Sequence, residues 1–261
     1  MSGLRAALWA EALKARRSRM PLVTALGFCL APLMGGFFMV VLKDPERARR
    51  LGLIGAKAQL VTGTADWPTY LGVLAQATAV GGVLLFGLAT IWVFGREYSH
   101  RTATDVLALP TGPAAIVAAK SLVVAVWSAG LVAIMFLLGL AVGSLVGLPA
   151  WSAGLALRAA GTLAATGGLT LLLVTVLALA ASAGRGYLPA VGVMFLMVFL
   201  AQVLAAAGWG AYFPWSVPAL YSGIAGRDLQ QLGTISYLLV ATAGLAGVLA
   251  TFAWWRLADQ T

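Results

Sequence analysis

The sequence predicts an all-α integral membrane protein. It has six transmembrane helices, an N-terminal interfacial helix and a short cytoplasmic coupling helix between the second and third spans. Two observations carry most of that expectation. The 261 residues are 61% hydrophobic and only 10% charged, where a soluble domain averages roughly 45–50% apolar and about 25% charged. The few charges are also clustered, and the uncharged runs between them can each hold a helix of roughly 20 residues.

Charge marks the breaks, because an ionised side chain at the bilayer centre costs several kcal/mol. Uncharged runs lie between Arg19 and Lys43, Asp66 and Arg96, Lys120 and Arg158, Arg158 and Arg185, Arg185 and Arg227, and Asp228 and Arg256. Two of these are long, but Gly147-Leu148-Pro149 ends the helix in one. GWGAYFPWSVPALYSG, rich in Gly, Pro and aromatics, fills the back half of the other. The spans therefore fall at about 21–42, 70–95, 119–146, 156–182, 187–207 and 233–255, within a single transmembrane domain over 1–261. The first apolar stretch is too long for a signal-peptide core and no A-x-A site follows it, so it reads as a retained span. Segment 43–69, opening on KDPERARR, reads as an external polar loop or a short helix.

Ahead of the first span, MSGLRAALWAEALKARRSR places Leu4, Leu8, Trp9 and Leu13 among basic positions. Residues 1–19 are expected to form a helix lying at the membrane surface. Arg5, Lys14, Arg16, Arg17 and Arg19 put that end in the cytoplasm by the positive-inside rule, and six spans return the C-terminus to the same side. Lys43, Arg47, Arg49, Arg50 and Lys57 pull the other way. The net charge of +9 resides in residues flanking spans, where it suits anionic lipid headgroups rather than nucleic acid.

Several function classes lack their chemistry. No Asp, Glu, Lys, Arg or His falls near the middle of a predicted span, so ion coupling has no obvious carrier. The lone His100 excludes an H-E-x-x-H zinc site and leaves intramembrane proteolysis without a buried base. One cysteine, Cys29, permits no disulfide within the chain. No metal site or cofactor is expected, and without a G-x-x-x-x-G-K-[ST] the chain cannot cradle ATP phosphates by a P-loop. Gly139, Gly143 and Gly147 share one face of the third span. They serve either helix packing inside the bundle or a seam between two copies.

One polar island interrupts the apolar sequence, FGREYSHRTATDVLALPTGPAAIVAAK at residues 94–120. RTATDVLAL can form a short helix capped by Thr102 or Thr104, with Val106, Leu107 and Leu109 on its apolar face and Pro110 stopping it. On the residues alone, it is equally a docking knob for a partner's groove or a solvated connection.

The order Glu97, Arg101-Thr102, Leu107, Leu109-Pro110 and Ala119-Lys120 resembles the first cytoplasmic loop of ATP-binding-cassette (ABC) transporter permeases of the type-2 exporter class. Members commonly carry Gly where this chain has Arg101, and often a basic residue where it has Gly112-Pro113. The N-terminal stretch with Glu11 and Lys14 is similar to the family's connecting helix, and FPWSVPALYSG to its Pro/Trp-rich external segment. The small size looks like the antibiotic and peptide exporter branch, similar to bacitracin-exporter permeases. The resemblance implies a bacterial cytoplasmic-membrane permease, itself not an enzyme, that pairs with an identical or related permease chain. Two copies of a P-loop ATPase would bind ATP and magnesium and dock on the 97–110 loop. Glu97 and Arg101 would set polar contacts there, and Leu107 and Leu109 would fill the ATPase groove. The apolar interior favours an amphipathic or lipid-like cargo. Two other readings stay open: a membrane scaffold or immunity protein that transports nothing, for which the loop would be dispensable, and a secondary transporter, which would stop when ion gradients collapse.

Overall fold

A computed structural model describes residues 2–44, 64–107, 110–224 and 232–257. In chain order the helices are α1 (Ser2–Arg17), α2 (Met20–Lys43), α3 (Trp67–Ser99), α4 (Ala103–Leu107), α5 (Pro113–Val146), α6 (Ala153–Ala183), α7 (Tyr187–Ala206), α8 (Val217–Tyr221) and α9 (Thr234–Leu257). Two single-turn 3-10 segments, Gly210–Tyr212 and Pro214–Ser216, precede α8. Six of these helices, α2, α3, α5, α6, α7 and α9, are long and apolar enough to cross a membrane. The bundle has two ends. One carries α1 and α4; the other carries the α5–α6 turn.

The three longest helices overshoot the bilayer. At 1.5 Å per residue, the 33, 34 and 31 residues of α3, α5 and α6 each run about 45–50 Å, against a hydrocarbon core of about 30 Å. The third span was expected from 119, but α5 begins at Pro113, where a proline at the first helical position lacks only a donor that would be unpaired anyway. Lys120 marked the break in the sequence. In the structure carboxylates partner its charge, so the helix continues past it.

Local caps set the other ends. Asp66 accepts the Thr69 N–H at 2.9 Å to open α3, and Ser152 accepts the Leu155 N–H at 3.1 Å to open α6. The Thr102 N–H donates to the Glu97 carbonyl at 2.8 Å, so Thr102 also helps to close α3.

Helix α3 is the hub, packing against α2, α5, α6 and α7. Its Tyr70, Leu74, Phe86 and Phe94 are fully enclosed. Four threonines within the spans bond inside the protein: Thr78, Thr90, Thr170 and Thr251 each donate to the carbonyl four residues back, at 2.7–2.8 Å.

The glycine face of α5 resolves into two uses. A Cβ at Gly139 would strike Leu74, and one at Gly143 would strike the Trp67 ring, so both positions let α3 of the same chain approach. Gly147 instead ends the helix in the left-handed region at φ 66°. Lys43 caps the same terminus, donating to the Val146 and Gly147 carbonyls at 2.6 and 2.8 Å.

Gly143→Leu is therefore expected to lower stability by about 1–3 kcal/mol through overpacking against Trp67. Gly161→Ala, where a Cβ meets nothing within 4 Å, should instead leave stability unchanged or raise it by up to about 1 kcal/mol. Thermal unfolding of the detergent-purified chain reads both, and equal effects would contradict the packing role.

Candidate functional site

Where α1, α3 and α5 meet, four charged side chains close into a ring. Glu11 and Lys14 stand one turn apart on α1, at a spacing that puts both on one helix face. Glu97 lies near the end of α3 and Lys120 two turns into α5. The Lys120 ammonium contacts Glu97 at 2.8 Å and Glu11 at 3.2 Å. The Lys14 ammonium contacts the other oxygens of the same carboxylates, Glu11 at 2.7 Å and Glu97 at 3.1 Å. Two carboxylates thus bridge two ammonium groups, and the formal charge of the four cancels.

Burial makes that balance a requirement. Lys120 is 0% exposed, Glu97 2% and Glu11 5%. An ammonium taken out of water needs counter-charge and a partner for each of its three N–H groups. Lys120 finds the third in the Val93 carbonyl, at 2.8 Å. The Phe94 and Trp255 rings sit 5.9 Å from its nitrogen and exclude water from it. Removing one partner of such a buried set costs about 3–5 kcal/mol, because the remainder is left uncompensated.

Aromatic residues carry the junction outward to other helices. Trp255 on α9 donates to Ser182 on α6 at 2.9 Å and meets Tyr98 edge-on at 5.9 Å. The Arg96 guanidinium lies 4.7 Å over Trp92 and 3.7 Å from Glu97. Trp92 meets Trp127 at 6.1 Å, and Trp127 donates to Thr24 on α2 at 3.0 Å. Five of the six spans therefore converge on this end through named contacts.

Helix α1 turns Glu11 and Lys14 toward the bundle and leaves Arg5, Arg16 and Arg17 exposed. Glu11 and Ala15 are buried against the bundle, while Leu4 and Trp9 face out, Trp9 at 70% exposure. Burial alone would lower the Lys14 ammonium, but its bonds to Glu11 and the charges of Glu11 and Glu97 outweigh that and hold it above the ordinary lysine value.

Of the residues singled out in the sequence, the structure brings Glu11, Lys14, Glu97 and Lys120 together. Glu97 was expected to contact a partner protein, but it is turned inward with both oxygens engaged within the chain. Arg101 does face solvent, at a left-handed φ of 57°. Thr102, Thr104, Asp105 and Pro110 are also exposed on the connection that holds α4. Leu109 and the side chain of Leu107 lie outside the described residues. Arg96, Trp92 and Trp255 were not anticipated. Their signal was a Lys two turns inside an apolar helix, which demands carboxylates and an aromatic wall around it.

The chain belongs to the ABC-2 transporter family, whose model, described as ABC-2 family transporter protein, matches residues 7–201. That range contains all four members of the ring. The chain is also similar to the bacitracin transport permease of Bacillus licheniformis, 22% identical over 179 residues, which cover 68% of this chain and 85% of that protein. It is a multi-pass permease subunit of an ABC transporter, and membership of the family implies an ATPase partner.

Two predictions follow from the ring. Lys120→Met and Glu97→Gln should each cost several kcal/mol in detergent unfolding, and the double variant should cost clearly less than their sum, since it removes one charge of each sign; strict additivity would contradict the ring. Because the folded Lys14 value is raised, its contribution is complete below the ordinary lysine value and lost only as pH rises through the folded one. The stability gap between the native protein and Lys14→Ala should stay constant from neutrality to about pH 9 and narrow only above about pH 10.5. A gap that closes near neutrality would be the contrary result.

Proposed function

We propose that this permease exports an amphipathic or lipid-like cargo, driven by an ATPase that docks on the α3–α5 connection and moves α1, α3 and α5 together. The observation that carries the reading is the ring itself, which ties the helix ends on both sides of α4 to one another and to α1. The exposed α4 connection is continuous with α3 through the Thr102–Glu97 backbone bond. A push on α4 therefore reaches Glu97 across a three-residue turn, and from Glu97 it passes to Lys120 and Lys14.

The basic N-terminal residues support a cytoplasmic position for this end in a bacterial inner membrane. Outward-facing Leu4 and Trp9 then suit the headgroup level of the adjoining leaflet. ATP and magnesium belong to the ATPase, of which two copies serve a pair of permease chains, identical or related. Closure of the ATPase dimer shifts the α4 connections, and a cargo is driven only if its affinity differs between the two resulting arrangements. Mainly apolar cavities, and spans whose middles carry no ionisable side chain among the described residues, favour amphipathic cargo over ions or sugars.

Docking and coupling separate experimentally. Leu107→Asp should cut ATPase co-purification at least tenfold while the permease remains folded. Glu97→Gln should keep the ATPase bound but lower transport per ATP hydrolysed. Isolation of the tagged chain from native membranes, followed by reconstitution, reads both. The reading fails if no ATPase accompanies the native chain, or if Leu107→Asp leaves the complex intact.

A further inference from the structure

At the end of the bundle away from the ring, α3, α6 and the α8 segment enclose a cavity of about 660 Å³. Its wall includes Arg158 and Thr162 on α6, Gly72 on α3, and Leu220, Tyr221 and Gly223 on α8 and the turn after it. Among the described residues, no carboxylate lies within 4.0 Å of the Arg158 guanidinium. The contrast with the opposite end matters: there a buried lysine is matched by two carboxylates, whereas here an exposed arginine lines a cavity and, among the described residues, has no carboxylate beside it.

A second cavity, of about 340 Å³, lies deeper toward the middle of the bundle. It is apolar, walled by Ala79 and Val83 on α3, Val198 on α7, and Trp215 and Ala219. Leu220 belongs to the walls of both cavities. On α3 the outer cavity uses Gly72 and Ala75, and the inner one uses Ala79 and Val83 on the following turns. The step from Gly72 to Ala79 is about 10 Å along the helix. Along α3 the lining thus steps from the Arg158 cavity toward the middle of the helix at the mainly apolar one, and Leu220 adjoins both.

From this order we infer that the paired cavities bind an amphiphile with an anionic, phosphate-bearing headgroup and an acyl-like tail. The headgroup sits on the Arg158 guanidinium, whose planar set of five N–H donors matches phosphate oxygens two at a time. Tyr221 lines the same wall and carries a hydroxyl that can serve as a further donor. The tail passes Leu220 into the slot beside Val83 and Trp215. Lipid in the surrounding bilayer would meet an arginine at the interface without such a slot, so the pairing of charge with a bounded apolar cavity defines a site rather than general headgroup attraction. The inference stands apart from the ATPase reading, since it concerns binding at the opposite end and needs no nucleotide.

The test uses the full chain in phosphatidylcholine nanodiscs and follows quenching of Trp215 by bromine-labelled lipid tails, with Trp215→Phe defining its share of the signal. Brominated phosphatidic acid should saturate that quenching at a mole fraction at least tenfold below brominated phosphatidylcholine. Arg158→Gln should abolish the preference. Gly72→Phe, at a position where a Cβ meets nothing within 4 Å, should fill the outer cavity and abolish it too, with unchanged thermal unfolding. Millimolar inorganic phosphate should leave the preference in place. Equal quenching by both lipids, or a preference that survives Arg158→Gln, overturns the inference. If inorganic phosphate erases the preference, the site serves a free anion and the lipid assignment is wrong. None of these outcomes depends on an ATPase being present, so failure here leaves the permease reading untouched.

Discussion

The constraint on which the α1 end of this molecule depends is the solvation of one ammonium group. Lys120 lies on a helix flanked by apolar residues and is wholly enclosed. Water cannot reach it, so the protein must supply three acceptors and a balancing negative charge. Glu97 and the Val93 carbonyl come from α3, but a single carboxylate still leaves one N–H unpaired, and Glu11 of α1 provides the third acceptor. That need draws α1 against the bundle. Adding Glu11 would tip the cluster negative, and Lys14 on the same face restores the balance. Helix α1 is thus tied to the bundle through Glu11 and Lys14, while Trp9 and Leu4 face outward.

Such a ring is a poor source of net stability and a good source of definition. Desolvation of four ions offsets most of their attraction, and an apolar replacement of the same shape would serve stability equally well. What apolar contacts do not provide is a strict requirement that particular groups stay together. Sliding α1 by one turn would strand a charge on each side, so intermediate arrangements are costly and the unit moves whole or not at all. For a subunit whose family works with an ATPase, stiffness at the helix ends is the useful property. The distal end is built on different terms, with glycines admitting Trp67 and Leu74 and a lysine capping a helix terminus.

How legible this was differs between fold and site. Spans followed from composition because the bilayer imposes a length and excludes charge, so each run between charges matched one helix to within a few residues at most ends. The exception, the start of α5, came from treating Lys120 as a membrane boundary; charge excludes a residue from lipid only when it is unpaired. Glu11, Lys14, Glu97 and Lys120 could be singled out through resemblance. Their mutual contact could not, since Glu11 and Lys120 are separated by 109 positions and meet only through tertiary packing. The glycine stripe on α5 left two uses open, and the neighbouring Trp67 and Leu74 decide for packing within the chain. Arg96 and Trp255 were hidden because aromatic and basic residues near span ends ordinarily serve as interfacial anchors.

The central claim is that α1 and the α3–α5 connection form one rigid unit. A spin-label distance between Trp9→Cys and Asp105→Cys, both at exposed positions, tests it directly in a Cys29→Ser background within the assembled transporter. The account predicts one narrow distance distribution that does not move between nucleotide-free and ATP-bound states, and a broad distribution once Glu97→Gln and Lys120→Met open the ring. A distance that shifts with ATP while the ring is intact would contradict it, since α1 and the connection would then be moving independently.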